Sequence, residues 1–224
     1  FGYPVEVDGP KVTVRPGGKL TATAIDVPSD ISSAAFFMVA ASIAKDSDIT
    51  LQHVGINPTR VGVINILRQM GANIEMFNEK EVGGEPVADL RIRSAQLKGI
   101  QIPEDQVPLA IDEFPAIFIA AACAEGETVL SGAEELRVKE SDRIQAMVDG
   151  LKILGADVEG TPDGAIIRQS QLKGGVVQSH DDHRIAMAFT VAGLIAEGET
   201  KMNDAECANI SFPEFFDILA NVVK

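Results

Sequence analysis

The sequence repeats itself three times over, and that repetition limits the fold more than any single motif does. Each copy opens at the end of an alternating stretch, "KVTVR" from Lys11, "DLRIR" from Asp89 and "AIIR" from Ala165, and then passes a lysine-containing turn. A polar or acidic cluster follows in each: Ser29-Asp30-Ser32-Ser33, Asp112-Glu113, and Asp181-Asp182-His183-Arg184. An Ala-rich apolar run comes next, then a Gly- or Asp-bearing turn into a strand containing threonine. The second half of the unit also recurs. "NPTRVGVINILRQMGANIEM" from Asn57 matches "LRVKESDRIQAMVDGLKILGADVEG" from Leu136 as helix, Gly-Ala turn and strand. The third copy is abbreviated and closes on the amphipathic "FPEFFDILANVV".

Strands alternating with helices predict an α/β fold of about three βαβαβ units. Residues 1–26 read as the last hairpin of a preceding unit, with Val27-Pro28 as the crossing point into the body. A chain that opens at Phe1, inside a strand, is expected to be part of something longer. Ile144, Met147, Val148, Leu151 and Leu154 follow the i, i+3, i+4, i+7 rule, so one face of their helix is core. Asn57-Pro58 reads as a helix start and Gly155 as the position just past a helix end. The runs Ala34 to Ala44 and Ala116 to Ala124 are apolar on most faces and belong inside the domain. If the units are related by a pseudo-threefold, these buried helices aim their N-termini at one face, which favours an anion there.

The overall charge of −14 in 224 residues argues against nucleic acid, which demands a basic surface. A small anionic substrate remains compatible, because a pocket's local potential can oppose the global sign. Cys123 and Cys207 are too few and too isolated for a disulfide framework or a zinc site. No His, Cys, Asp and Glu spacing suits a metal, no Gly-rich nucleotide loop is present, and no run reaches membrane-spanning length, so no cofactor and a cytoplasmic location are expected.

Against that acidic background, "LRVKESDRI" crowds two arginines and a lysine into nine residues just before an apolar-periodic helix. Placed on a helix start, Lys139, Glu140 and Arg143 fall within about a third of the circumference, where they suit either an anion grip with a proton donor or a solvated salt-bridged turn. Cations at a helix start oppose its dipole, a small cost that Glu140 and Asp142 offset. Asp182 reads as a helix cap, with Arg184 free to fork onto a carboxylate and His183 a proton donor or phosphate contact. Asp112 and Glu113 suit a capping pair or a general base at a buried helix mouth. His53, Asn57, Arg60 and His180 take plain structural readings.

As a set, "NPTR", "IDEFP", "LRVKESDR", "DHRIAMAF" and "SFPEFF" resemble the 5-enolpyruvylshikimate-3-phosphate synthase family, closest to its glyphosate-insensitive, class II type branch. The likeness covers nearly the whole chain and matches that enzyme's C-terminal half. It implies a lobe of three βαβαββ units around buried helices, an inside-out α/β barrel, over residues 27–224. The implied reaction transfers the enolpyruvyl group of phosphoenolpyruvate to the 5-hydroxyl of shikimate 3-phosphate, with no metal or organic cofactor and with the missing N-terminal lobe as partner. Carried over by motif, Asp112 is the base that also binds shikimate hydroxyls, Glu140 the proton-transferring acid, and Lys139 lies beside the reacting centre. Arg143 and Arg184 hold the phosphoenolpyruvate carboxylate, with His183 next to them. Glu140 in that role must hold a proton near neutrality, which burial favours and the nearby cations oppose. Two departures stand out: Ile210-Ser211 occupy the place of a phosphate-contacting Lys, and Glu135 that of an Asn. The competing readings are a UDP-N-acetylglucosamine enolpyruvyl transferase, which shares the architecture, and a non-catalytic lobe of the same fold.

Overall fold

A computed structural model describes residues 1–223. A short exposed hairpin comes first, β1 (Glu6–Asp8) paired antiparallel with β2 (Lys11–Thr13). The body begins with α1 (Ile31–Ile43), β3 (Asp48–Gly55), α2 (Gly62–Gln69), β4 (Asn73–Val82) and β5 (Glu85–Arg93). The second unit repeats that order as α3 (Phe114–Cys123), β6 (Glu127–Leu130), α4 (Arg143–Ile153), β7 (Asp157–Thr161) and β8 (Gly164–Arg168). The third is shorter: β9 (Val176–Gln178), α5 (His183–Gly193), β10 (Lys201–Asn203) and α6 (Phe215–Val222).

The two complete units build the same sheet, in the orders β3-β5-β4 and β6-β8-β7, with the final strand in the middle and antiparallel to both neighbours. A parallel contact joins the segment before each central helix to the strand after it: Ser29 with Val54, Lys98 with Glu125, Gln101 with Val129, and β9 with β10. The unit is therefore βαβαββ. The closing hairpin strand escapes a simple alternation count because β4 and β5 run on through one two-glycine turn at Gly83-Gly84.

Helices sit inside and sheets outside. α1, α3 and α5 pack against one another pairwise. Every residue from Phe114 to Ala122 is buried, and so are eleven positions of α1, from Ile31 to Ser42. A helix apolar on all sides must be surrounded by protein, and the Ala-rich composition lets three such helices approach closely. The N-terminal ends meet at one pole, where Ser32 of α1 hydrogen-bonds Glu113 at the start of α3. The C-terminal ends of α1 and α5 line a shared groove at the other pole through Ile43, Ala44, Leu194 and Ile195. The central helices are thus parallel.

α4 buries the expected face, Ile144, Met147, Val148, Leu151 and Leu154, and Gly155 follows it at φ +80°. α2 starts later than Asn57-Pro58 suggests. The Asn57 side chain accepts from the Thr59 amide in a local turn, and the helix begins only at Gly62, where a Cβ would strike the Leu109 backbone. α6 is fastened to α1 by an aromatic cluster in which Phe215 meets Phe36 and Phe37 edge-on at 5.9 and 5.6 Å.

The repeat is visible even in single glycines. The segments "QLKG" and "AEGET" occur in the second and third units, and in each the Gly of the first lies against the backbone of the second. A Cβ on Gly99 would sit 2.3 Å from the Glu127 carbonyl oxygen, and one on Gly174 2.3 Å from that of Glu199. Backbone cannot swing aside as a side chain can, so Gly99→Ala and Gly174→Ala are each expected to destabilise by about 2 kcal/mol or more, read from urea midpoints.

Candidate functional site

The pole where the central helices begin collects nearly all the buried charge of the molecule. Asp112 stands just before α3, and Asp182 caps α5 by accepting from the Arg184 amide at 2.9 Å. Glu113 does not cap α3, and its carboxylate turns inward, 1% exposed, to accept from Ser32. The capping-pair reading of Asp112-Glu113 therefore fails.

The "LRVKESDR" stretch is not a helix start either. Glu134–Val138 forms a 3-10 turn, Lys139 is extended, and α4 begins only at Arg143, capped by the Asp142 carboxylate accepting from the Gln145 amide. The charges then divide between two duties. Arg137 is structural, donating to the carbonyls of Thr161 and Pro162 and to Asp142 at 2.6–2.7 Å, which ties the 3-10 turn to the β7–β8 turn. Lys139, Glu140 and Arg143 face the pole.

Arg143 is 1% exposed, and its guanidinium is spread over three carboxylates. Nε donates to Asp182 Oδ2 at 2.8 Å, Nη1 to Asp112 Oδ1 at 3.2 Å and Nη2 to Glu140 Oε2 at 2.6 Å. Ser141 Oγ adds a hydrogen bond to Asp182 at 3.0 Å. A buried cation must be compensated, and here each edge of the planar fork has its own acceptor. Asp112 in turn receives cations from several sides: Arg143, Lys139 Nζ at 3.6 Å from Oδ1, and Arg184 Nη2 at 3.7 Å from Oδ2. Lys139, Arg143 and Arg184 thus come within reach of one small anion.

These contacts set the proton affinities. Burial acts to raise the Asp112 carboxyl, but Arg184, Lys139, Arg143 and Arg60 together outweigh it and hold the group below the usual carboxylate range. Burial likewise opposes ionisation of Asp182, and the Arg143 hydrogen bond and charge reverse the balance, so its pKa is lowered. Burial and the neighbouring Arg184 push His183 down, which favours neutral imidazole at pH 7. The hydrogen bond to Glu135 raises Lys139, so its ammonium stays charged. Glu140 is 52% exposed, far from the burial its proposed role would ask of it.

Sequence reasoning left Arg60 as a surface residue, whereas its Nη2 donates to Ser32 Oγ at 2.7 Å and lies 3.7 Å from Glu113 Oε1, at the edge of the same cluster. Ser32 and Glu113 were noted among the polar clusters without a role at the site, and Ser141 was missed. The internal repeat carried the signal, since Arg60 precedes α2 much as Arg143 opens α4. Among the described residues no group of His, Cys, Asp and Glu is arranged to hold a metal, and no helix is long and apolar enough to cross a membrane.

Comparison with known proteins agrees in both sequence and shape. The family model for EPSP synthase (3-phosphoshikimate 1-carboxyvinyltransferase) matches residues 1–219. The chain is 64% identical over 220 residues to the 3-phosphoshikimate 1-carboxyvinyltransferase of Methylococcus capsulatus, covering 97% of this chain and 50% of that protein. It is 62% identical to the same-named protein of Nitrosococcus oceani over 97% and 49% of the two chains. The solved EPSP synthase of Acinetobacter baumannii superposes with a TM-score of 0.96 at 57% identity, over 99% of this chain and 52% of that one. The chain therefore spans about half the length of the relatives it matches.

Two outcomes follow from the Arg143 cluster. Asp182→Ala should destabilise the fold by about 3–5 kcal/mol in urea unfolding, because it leaves a buried guanidinium short of its main acceptor. The folded pKa of Asp182 lies below the unfolded one, so its stabilisation is present above about pH 4 and disappears as pH falls through the lower folded value. Asp182→Asn should accordingly flatten the acid limb of a stability-versus-pH curve. In a proton NMR titration, His183 should titrate below a free imidazole and move upward in Arg184→Gln.

Proposed function

The chain belongs to the EPSP synthase family, and on that footing we propose that it is the C-terminal lobe of a 3-phosphoshikimate 1-carboxyvinyltransferase. The enzyme transfers the enolpyruvyl group of phosphoenolpyruvate to the 5-hydroxyl of shikimate 3-phosphate and releases phosphate. The observation that carries this reading is the meeting of Lys139, Arg143 and Arg184 on the Asp112 carboxylate, at the pole where three buried helices begin. Both substrates are polyanions, and such a pole answers them with fixed cations.

In this reading Arg184 and Arg143 clamp the phosphoenolpyruvate carboxylate, Arg143 by giving up its bonds to Asp112 and Glu140 as the substrate enters, and His183 beside Arg184 completes that wall as a neutral donor. Asp112 binds shikimate hydroxyls and takes the 5-hydroxyl proton. Glu140 delivers a proton to the methylene carbon, and Lys139 stands between acid and base. The depressed pKa of Asp112 makes it a weak base while Arg184, Lys139 and Arg143 all face it. A substrate anion that draws those cations onto itself raises the basicity of Asp112 just when the hydroxyl arrives. Glu140 is half-exposed here, and closure of a second lobe over the cleft takes it out of water.

The partner is then the N-terminal lobe, and residues 1–26 are its terminal hairpin, with the C-terminal lobe occupying 27–224. Support comes from burial: every large apolar residue of that stretch, Val5, Val7, Val12, Val14, Leu20 and Ile25 among them, is exposed, and the core starts at Ile31.

The test is steady-state kinetics in the full-length enzyme. Asp112→Asn and Glu140→Gln should each lower kcat by ~10²-fold or more while binding of both substrates survives, as expected for groups that move protons in the transition state. Normal turnover in both variants would leave the lobe as a binding scaffold.

A further inference from the structure

One buried carboxylate is unused by the mechanism above. Glu113 is 1% exposed, yet it neither caps α3 nor touches Lys139, Arg143 or Arg184. Its partners are Ser32 Oγ, which donates to it, and Arg60, whose Nη2 donates to that same hydroxyl at 2.7 Å and stands 3.7 Å from the carboxylate. The Arg143 cluster has the same plan. There an arginine of the second unit is held by Asp182, the fully buried acid at the start of the third unit's central helix, with Ser141 bonded to that acid. Here an arginine of the first unit is held by Glu113, the buried acid at the start of the second unit's central helix, with Ser32 bonded to it. The one difference is exposure. Arg143 is sealed, whereas Arg60 keeps 47% of its side chain open at the edge of the cleft.

We infer that Arg60 is a further anion-binding residue of this active site, gripping a phosphate or carboxylate oxygen from the α1–α2 side of Asp112, and that Glu113 and Ser32 are its positioning residues. The inference rests on the synthase reading. Burying a carboxylate without water is costly, and burial pushes the Glu113 pKa up against the hydrogen bond from Ser32 and the charges of Arg184 and Arg60. The arrangement is intelligible if a carboxylate must fix a guanidinium whose outer edge stays free. Arg60 stands close enough to act on Asp112 along with Arg184, Lys139 and Arg143, so an oxyanion entering beside Asp112 meets its charge as well as theirs.

The experiment uses the full-length enzyme, with phosphoenolpyruvate and shikimate 3-phosphate varied separately. Arg60→Gln should raise KM for one of the two by ~10-fold or more with kcat changed less than ~3-fold, the loss expected of one charge-assisted hydrogen bond, and Arg60→Lys should recover part of it. Which KM responds identifies the anion held. Glu113→Gln, isosteric and able to keep the Ser32 bond if Arg60→Gln folds poorly, should raise the same KM by a smaller factor and add almost nothing in the Arg60→Gln background. Both KM values within about 2-fold of the parent in Arg60→Gln would overturn the binding role, as would a loss confined to kcat. An equal Glu113→Gln effect in both backgrounds would overturn the positioning role. Arg143→Gln run alongside separates the two levels. If it abolishes turnover while Arg60→Gln is silent, only the Arg60 inference falls, and if it too is silent, the synthase site itself is misassigned.

Discussion

A guanidinium with almost no exposure to water organises this molecule. Arg143 opens α4 in the second unit, and its acceptors come from its own strand-to-helix connection, from the approach to α3 and from the cap of α5. A charge buried to this degree is tolerated only with every edge paired, so the three segments cannot drift apart without exposing an unpaired cation to an apolar core. The same contacts leave Asp112 surrounded by positive charge. Structural closure of the pole and its electrostatic character are one arrangement of side chains.

The central helices make that arrangement possible. Parallel packing of helices with one another is unfavourable for their dipoles, and the positive ends here accumulate at a single pole. Four acids, Asp30, Asp112, Glu113 and Asp182, stand at those ends and neutralise them. Cations from the connections before α2 and α4 and from the start of α5 then pair with Asp112, Glu113 and Asp182. The outcome is an alternating charge lattice on a scaffold whose other pole is a groove of mixed lining, with Phe37, Ile43 and Leu194 beside Lys45, Asp46 and Asp48. A net charge of −14 and a local cluster of cations coexist because the acids at the pole are already engaged by those cations, while part of the excess negative charge lies on exposed strands such as β4.

Much of this was legible in the sequence. The triple repeat, the burial of the Ala-rich runs and the core face of α4 follow from periodicity, which records local geometry faithfully. Asp112, Lys139, Arg143 and Arg184 were picked out as a set through motif resemblance, and the fold brings them into one cluster. Three readings of the site changed. Lys139 and Glu140 lie in an irregular connection and reach the pole from there, because the 3-10 turn held by Arg137 delays the helix until Arg143. Asp112-Glu113 does not cap, because Ser32 and the cations compete for both carboxylates. Arg60 belongs at the site although its motif, taken alone, marks only a turn before a helix.

Spacing and composition by themselves determined the order of strands and helices, which helices are central and where the scarce cations lie along the chain. Those properties depend on neighbours a few residues apart. Tertiary structure decided which acid holds which cation, because the partners lie far apart along the chain and mostly in different units: Arg143 meets Asp112 of its own unit across 31 residues and Asp182 of the third across 39, and Ser32 of the first meets Glu113 of the second across 81. Pairings over such separations are set by how three helices pack in space, and no local pattern encodes that packing.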